Sequence, residues 1–187
     1  MNRKTESAIR KAAKGSRDET TATCGTSCYF VGLDDDYGVK LYATALERDA
    51  AYVAQSVGHE VSIGPETGDC FEIENLELHP RYIPYWWYDR TERPRKMYGY
   101  ITECVEVIED HSIYDYRDFD LLKSIAKEFG FDIISDVRES NVGVDKRGEL
   151  VILDWDARFT VSGLLSPLEL DTVSSYYSCG SLWDRPI

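Results

Sequence analysis

The chain has 187 residues, enough for one compact domain or two small lobes that share a cleft. A hydrophobic fraction of 43% with 12% aromatics supports a packed core and excludes a disordered chain. The formal charge of −13 and a sequence pI near 4.6 disfavour direct binding to nucleic acid or anionic lipid, and favour basic protein partners or mimicry of the DNA backbone. No apolar run is long enough to span a bilayer, and the polar, basic N-terminus does not read as a secretory signal, so a cytoplasmic protein with no membrane partner is expected. The cysteines (Cys24, Cys28, Cys70, Cys104, Cys179) are odd in number and scattered. Cys24 and Cys28 have the separation of half a zinc site, but no Cys/His pair follows, and His59, His79 and His111 are isolated. Free structural thiols are expected.

Residues 1–22 carry Arg3, Lys4, Arg10, Lys11, Lys14 and Arg17 among Ala and Ser, and read as a basic arm or short frayed helix. Its charge opposes that of the body, so it either stays solvated or docks on an acidic surface. Residues 23–43 read as two strands, TCGTSCYFVGL and VKLYA, around the acidic turn DDDYG. Gly25 and the small polar residues after it let the backbone bend over a phosphate. Lys40, taken alone, reads as an edge-strand lysine of the kind that discourages aggregation. Residues 44–57, TALERDAAYVAQSV, read as an amphipathic helix with Leu46, Ala50, Val53 and Val57 on one face and Gly58 as its stop.

Residues 59–109 are rich in aromatics, and IPYWWYDRTERPRKMYGYITECVEVI reads as a hairpin whose turn holds Arg90, Arg93, Arg95 and Lys96. An aromatic stripe of this kind serves a core more often than a base-stacking platform. Residues 110–117 read as a linker, and Asp118 is placed to cap a helix with Phe119, Leu122, Ile125, Ala126 and Phe129 on one stripe, ended by Gly130. Beyond Asp156 the chain supplies one short helix and a C-terminal cap with Trp183.

Residues 136–156, DVRESNVGVDKRGELVILDWD, hold the densest pattern in the chain. VGV and LVIL read as short strands, and the turn DKRGE places Gly148 where a positive φ is easiest. Antiparallel pairing returns Asp154 to the level of Asn141, and directly opposed residues sit about 5 Å apart. A carboxylate and an amide oxygen then converge at the open end, a donor set suited to an oxygen-preferring divalent cation. Asp136, on the loop feeding the first strand, faces the same mouth. The alternative is a surface hairpin whose ends carry Asp and Asn as ordinary turn residues.

The order of Asp136, Asn141 five residues later and Asp154 thirteen further on resembles the catalytic segment of the protein-kinase-like phosphotransferases. The text N-V-G-V-D…G-E-L-V-I-L-D-W-D is most similar to the aminoglycoside and choline phosphotransferase branch, or to a minimal phage-type kinase. The resemblance implies ATP and Mg²⁺ as cofactors, with Asp136 orienting or deprotonating an acceptor hydroxyl and Asn141 and Asp154 holding Mg²⁺ on the phosphates. It further implies that Lys40 pairs with the α/β phosphates beneath a loop at Gly25, and that an acid on the following helix, Glu47 or Asp49, anchors that lysine. Backbone amides of a hinge near Thr102–Val105 would receive the adenine edge. The sequence departs from the family at the glycine loop, where Cys28 stands near the third expected glycine, and at Ile134, where protein kinases carry His.

The resulting expectation is an α+β, minimal protein-kinase-like fold, with a small antiparallel-sheet lobe over residues 23–109 and a truncated helical lobe over 110–187. The acceptor is an unidentified hydroxyl, either protein Ser/Thr or a small molecule. Two other readings compete: a catalytically inactive kinase-like binding protein, and an acidic nucleic-acid mimic that binds a basic host protein.

Overall fold

The computed structural model describes residues 3–15, 22–24, 28–78, 95–108, 116–128, 137 and 141–155. Gly25, Asp136, His79, His111, the run from Tyr82 to Tyr88 and the chain after Trp155 lie outside these residues. The elements are α1 (Arg3–Gly15), β1 (Ala22–Cys24), β2 (Tyr29–Gly32), β3 (Tyr37–Tyr42), α2 (Ala45–Glu60), β4 (Thr67–Glu74), β5 (Lys96–Glu103), β6 (Glu106–Val107), α3 (Tyr116–Glu128), β7 (Val142–Val144) and β8 (Leu150–Ile152). The first five strands form one antiparallel sheet in the order β1-β2-β3-β5-β4, and the last three form a second in the order β6-β7-β8. The architecture is α+β with a small antiparallel sheet.

Strand periodicity sorts the large sheet into two buried faces. Tyr29, Val31, Val39, Leu41, Phe71, Ile73 and Met97 form one core with Ile9 and Ala13 of α1. Cys28, Tyr42 and Tyr100 form another with Ala51 of α2. The sheet therefore lies between two helices, and the central strand β3 is buried along almost its whole length. The basic N-terminal segment is part of this body: α1 buries Ile9 and Ala13 completely. Arg10 holds Glu6 at 2.7 Å and donates to the carbonyls of Glu74 (2.9 Å) and Asn75 (3.3 Å). Two or three apolar residues on one turn-spaced stripe suffice to dock a short helix when a sheet face awaits it.

Helix α2 differs from its expected helical face. Thr44 is the N-cap and forms a capping box with Glu47. The buried stripe is Ala51, Ala54, Gln55 and Gly58, while Leu46, Ala50, Val53 and Val57 are only half-buried. The small residues win because bulky rings lie beneath: Tyr42 and Tyr100 under Ala51, and Trp155 under Gly58. Gly58 is thus no stop, and the helix runs through it to Glu60. In α3 Phe119, Leu122 and Ala126 are buried as expected, but the helix starts at Tyr116. Asp118 therefore sits within its first turn, where a carboxylate still complements the helix dipole.

The aromatic hairpin expected between residues 83 and 108 is replaced at its described end. Strand β5 pairs with β3 on one side and with β4 on the other, so both its edges are occupied from Tyr98 to Thr102. The sequence reading did not pick out β4, TGDCFEIE, although Phe71 and Ile73 alternate with exposed acids along it. Cys28, Cys70 and Cys104 are free thiols. Burial, with the charges of Asp34, Asp36 and Asp35, pushes the Cys104 thiol up to about 11. No helix among the described residues is long and apolar enough to cross a membrane.

The turn of the small hairpin has the chemistry expected of it. Gly148 has φ +80°, and its N–H donates to the Asp145 carbonyl at 2.9 Å. The Asp145 side chain is fully buried; burial pushes its pKa up, but it accepts from Glu149 N (3.0 Å), Arg147 Nε (2.6 Å) and Arg147 N (2.9 Å), which together hold the carboxyl below its ordinary value. A depressed folded pKa contributes stability that is complete above the ordinary aspartate value of about 3.9 and is lost as pH falls through the lower folded value. Asp145→Asn is therefore expected to flatten the acid limb of a plot of thermal midpoint against pH. Parallel acid limbs for parent and variant would contradict this.

Candidate functional site

The small sheet positions the candidate site. Strands β7 and β8 pair with Val144 opposite Leu150 and Val142 opposite Ile152. One further rung follows, in which Leu153 N donates to Asn141 O at 2.8 Å. Asn141 therefore faces Leu153, and Asp154 falls one residue beyond it. This corrects the expectation that Asp154 stands level with Asn141. The turn between Val144 and Leu150 has an odd number of residues, so each partner of Asn141's strand is offset by one from the expected register. Both Asn141 and Asp154 remain at the open end of the hairpin and are half-buried.

Three contacts bolt this hairpin to the large sheet. Ile152 N donates to Ile63 O at 2.8 Å, just after α2. The buried Glu103 carboxylate, at the end of β5, accepts from Lys146 N (2.8 Å) and from Glu66 N (3.1 Å). Lys146 also pairs with Glu66, which lowers the Glu66 pKa through that hydrogen bond. Trp155, fully buried, sits in a third core with Ala54, Ile63, Phe119, Leu122, Val142 and Ile152, and donates from Nε1 to Ile152 O at 2.6 Å. The D-W-D segment thus anchors its tryptophan in the core and leaves Asp154 at the rim.

Lys40 arrives at the same place from β3. Its ammonium donates to Leu153 O at 2.7 Å, on the peptide that leads into Asp154, and to Gln55 Oε1 at 3.0 Å. The lysine is buried and lies on a central strand, between β2 and β5, so it is not the edge-strand lysine that its sequence also allowed. Gln55 in turn donates from Nε2 to Thr102 Oγ1 (2.7 Å) and Pro65 O (3.2 Å), and accepts from Tyr100 OH (2.9 Å). Tyr42 OH reaches Trp155 O at 3.5 Å, and its ring stacks on Tyr100 with centroids 6.0 Å apart. Burial first, and then neighbouring charge that includes Asp154, pushes the phenols of Tyr42 and Tyr100 well above their ordinary range, so both stay protonated.

The structure thus brings together Lys40, the peptide of Asp154 and the backbone of Asn141. It places the two helix acids elsewhere. Glu47 accepts from Thr44 N (3.1 Å) and Thr44 Oγ1 (2.8 Å) within the capping box. Asp49, 57% exposed, pairs with Arg48 at 2.5 Å. The helix residue that meets the Lys40 ammonium is Gln55, two turns beyond Glu47. Asp136 and Gly25 lie outside the described residues. Two of the hinge amides are spent: Glu103 N donates to Glu66 O (3.0 Å) and Cys104 N donates to Asp36 O (2.8 Å), while Thr102 is paired in both neighbouring ladders. The expectation that these amides receive an adenine edge is corrected at Glu103 and Cys104, whose N–H groups are claimed by Glu66 O and Asp36 O.

Gln55 and Tyr100 went unnoticed as site residues in the sequence, and Thr102 and Glu103 entered only through the backbone of the expected hinge. The signal was present for Gln55 alone, as a polar residue on the small-residue stripe of α2. Among the described residues no group of three or more His, Cys, Asp or Glu side chains forms a metal cluster. The candidate donors are one carboxylate and one amide oxygen, a set that fits a cation which keeps several waters and takes its other ligands from phosphate oxygens. No protein-family model matches the chain, and no curated protein matches it.

Proposed function

We propose that this chain is a minimal protein-kinase-like phosphotransferase that moves the γ-phosphoryl group of ATP to a hydroxyl acceptor. The observation that carries this reading is the Lys40 ammonium bonded at 2.7 Å to the carbonyl just ahead of Asp154, which joins residues 113 apart in sequence. The spacing of Asp136, Asn141 and Asp154 supports it, as does the sheet–helix–sheet order around Lys40. In this reading Lys40 holds the α/β phosphates, and Asn141 and Asp154 hold Mg²⁺, which when bound neutralises phosphate charge. Asp136 orients the acceptor hydroxyl and takes its proton. The work is positioning and charge neutralisation, so few residues suffice.

Thermal denaturation with nucleotide tests the reading. Mg²⁺·ATP at about a hundredfold excess over its dissociation constant is expected to stabilise the protein by about 2.7 kcal/mol, and ATP without metal by much less. No shift at millimolar Mg²⁺·ATP or Mn²⁺·ATP would remove the proposal. A pair of substitutions then separates the roles. Asp154→Asn is expected to weaken both Mg²⁺·ATP binding and transfer, whereas Asp136→Asn leaves binding intact and lowers transfer about 10²–10⁴-fold. Labelled ATP, with the protein itself and a crude cytosolic extract as acceptors, provides the assay.

A second reading, a kinase-like binding protein without catalysis, is favoured by the departures from the family pattern at Cys28 in the glycine loop and at Ile134. It is selected if the parent binds Mg²⁺·ATP yet labels nothing above the level of Asp136→Asn.

A further inference from the structure

Gln55 occupies a place where a carboxylate is expected, and its surroundings specify an amide. Its side-chain oxygen faces Lys40 Nζ (3.0 Å), which is only a donor, and Tyr100 OH (2.9 Å). Its side-chain nitrogen faces Pro65 O (3.2 Å), which is only an acceptor, and Thr102 Oγ1 (2.7 Å). Lysine on one side and a carbonyl on the other leave a single orientation for the amide. Gln55 is fully buried, so no solvent relaxes these demands. The four contacts draw on β3, β5 and the segment after α2.

We infer that Gln55 is the positioning residue for Lys40, and that its neutral amide cannot be exchanged for the acid the family resemblance calls for. The inference rests on the proposed phosphotransferase reading for its functional consequence. A glutamate here would turn a second oxygen toward Pro65 O, set two acceptors against each other, and lose a donor at the heart of a buried network. It would also place a full negative charge on the ammonium that the triphosphate is to engage. A resemblance-based argument predicts the opposite, an improved lysine anchor.

The test uses the full chain with Gln55→Glu and Tyr100→Phe, each checked for folding by circular dichroism and thermal midpoint. Tyr100→Phe keeps the ring and Lys40 but removes one of the two donors on Gln55 Oε1. Mg²⁺·ATP affinity is expected to fall about tenfold or more in Gln55→Glu, and a few-fold in Tyr100→Phe. The second readout is the rate at which an amine-directed acylating reagent labels Lys40, followed by mass spectrometry. Labelling is expected to slow in Gln55→Glu, because the added carboxylate favours the ammonium, and to rise in Tyr100→Phe, where the amide is held less firmly.

A folded Gln55→Glu that binds Mg²⁺·ATP as tightly as the parent, or more tightly, overturns the inference. So does Lys40 labelling that is unchanged in both variants. If Gln55→Glu does not fold, Tyr100→Phe decides by the same two measurements. A parent that binds no Mg²⁺·ATP defeats the phosphotransferase reading instead, and the labelling rates still report whether Gln55 positions Lys40.

Discussion

Trp155→Ala is expected to lower the unfolding free energy by about 3–5 kcal/mol, the usual cost of removing a fully buried large aromatic. Trp155 is 0% exposed, packs against α2, α3 and the small hairpin, and holds Ile152 O through its indole N–H. Its loss opens a cavity where these parts meet and leaves a buried carbonyl with one fewer donor. Urea unfolding followed by tyrosine fluorescence and far-UV circular dichroism measures the effect. Gly58 supplies a stricter check, because a Cβ there would lie 2.5 Å from the Trp155 ring. Gly58→Ala should destabilise the parent by about 1–3 kcal/mol through overpacking. In the Trp155→Ala background the same substitution should cost much less, and such non-additivity is the mark of direct contact. Additive costs would mean that Gly58 and Trp155 do not pack as described.

Lys40→Met is expected to reduce Mg²⁺·ATP affinity about 10–150-fold, the loss of one charge-assisted contact to phosphate. The methionine keeps an apolar stem in the slot between β2 and β5 but leaves Leu153 O without its 2.7 Å donor. A stability cost of about 1–3 kcal/mol accompanies that loss. Lys40→Arg is expected to fail as well, since a planar, forked guanidinium does not fit a slot shaped for one ammonium between Gln55 Oε1 and Leu153 O. Calorimetric titration with Mg²⁺·ATP, beside urea midpoints for both variants, separates the two effects. If Lys40→Met loses stability but keeps its affinity, the ammonium serves only to tie the hairpin to the sheet.

How the site divides between local and distant causes is visible residue by residue. Gly148 adopts φ +80° in a turn that DKRG already specifies, and VGV and LVI pair around it as their alternation requires. The strands around Asp34–Asp36 and the Phe119–Leu122–Ala126 stripe were legible for the same reason: each depends on neighbours within a turn or two. The placing of Asp154 one residue past Asn141 follows from turn length, which pattern alone does not resolve to a single residue.

Other features depend on surfaces that sequence periodicity does not describe. Helix α1 docks because the large sheet has a second apolar face, and α2 turns its small residues inward because Tyr42, Tyr100 and Trp155 lie beneath it. That rotation carries Gln55, rather than Glu47 or Asp49, to the Lys40 ammonium. The spent amides of Glu103 and Cys104 have the same origin, since their acceptors, Glu66 O and Asp36 O, lie on other segments of the chain. Residue types and spacing nominated Asn141 and Asp154, and the family resemblance nominated Lys40. The meeting of Lys40 with the Leu153 carbonyl across 113 residues of chain is set by packing, because buried polar groups must find partners wherever the fold brings them.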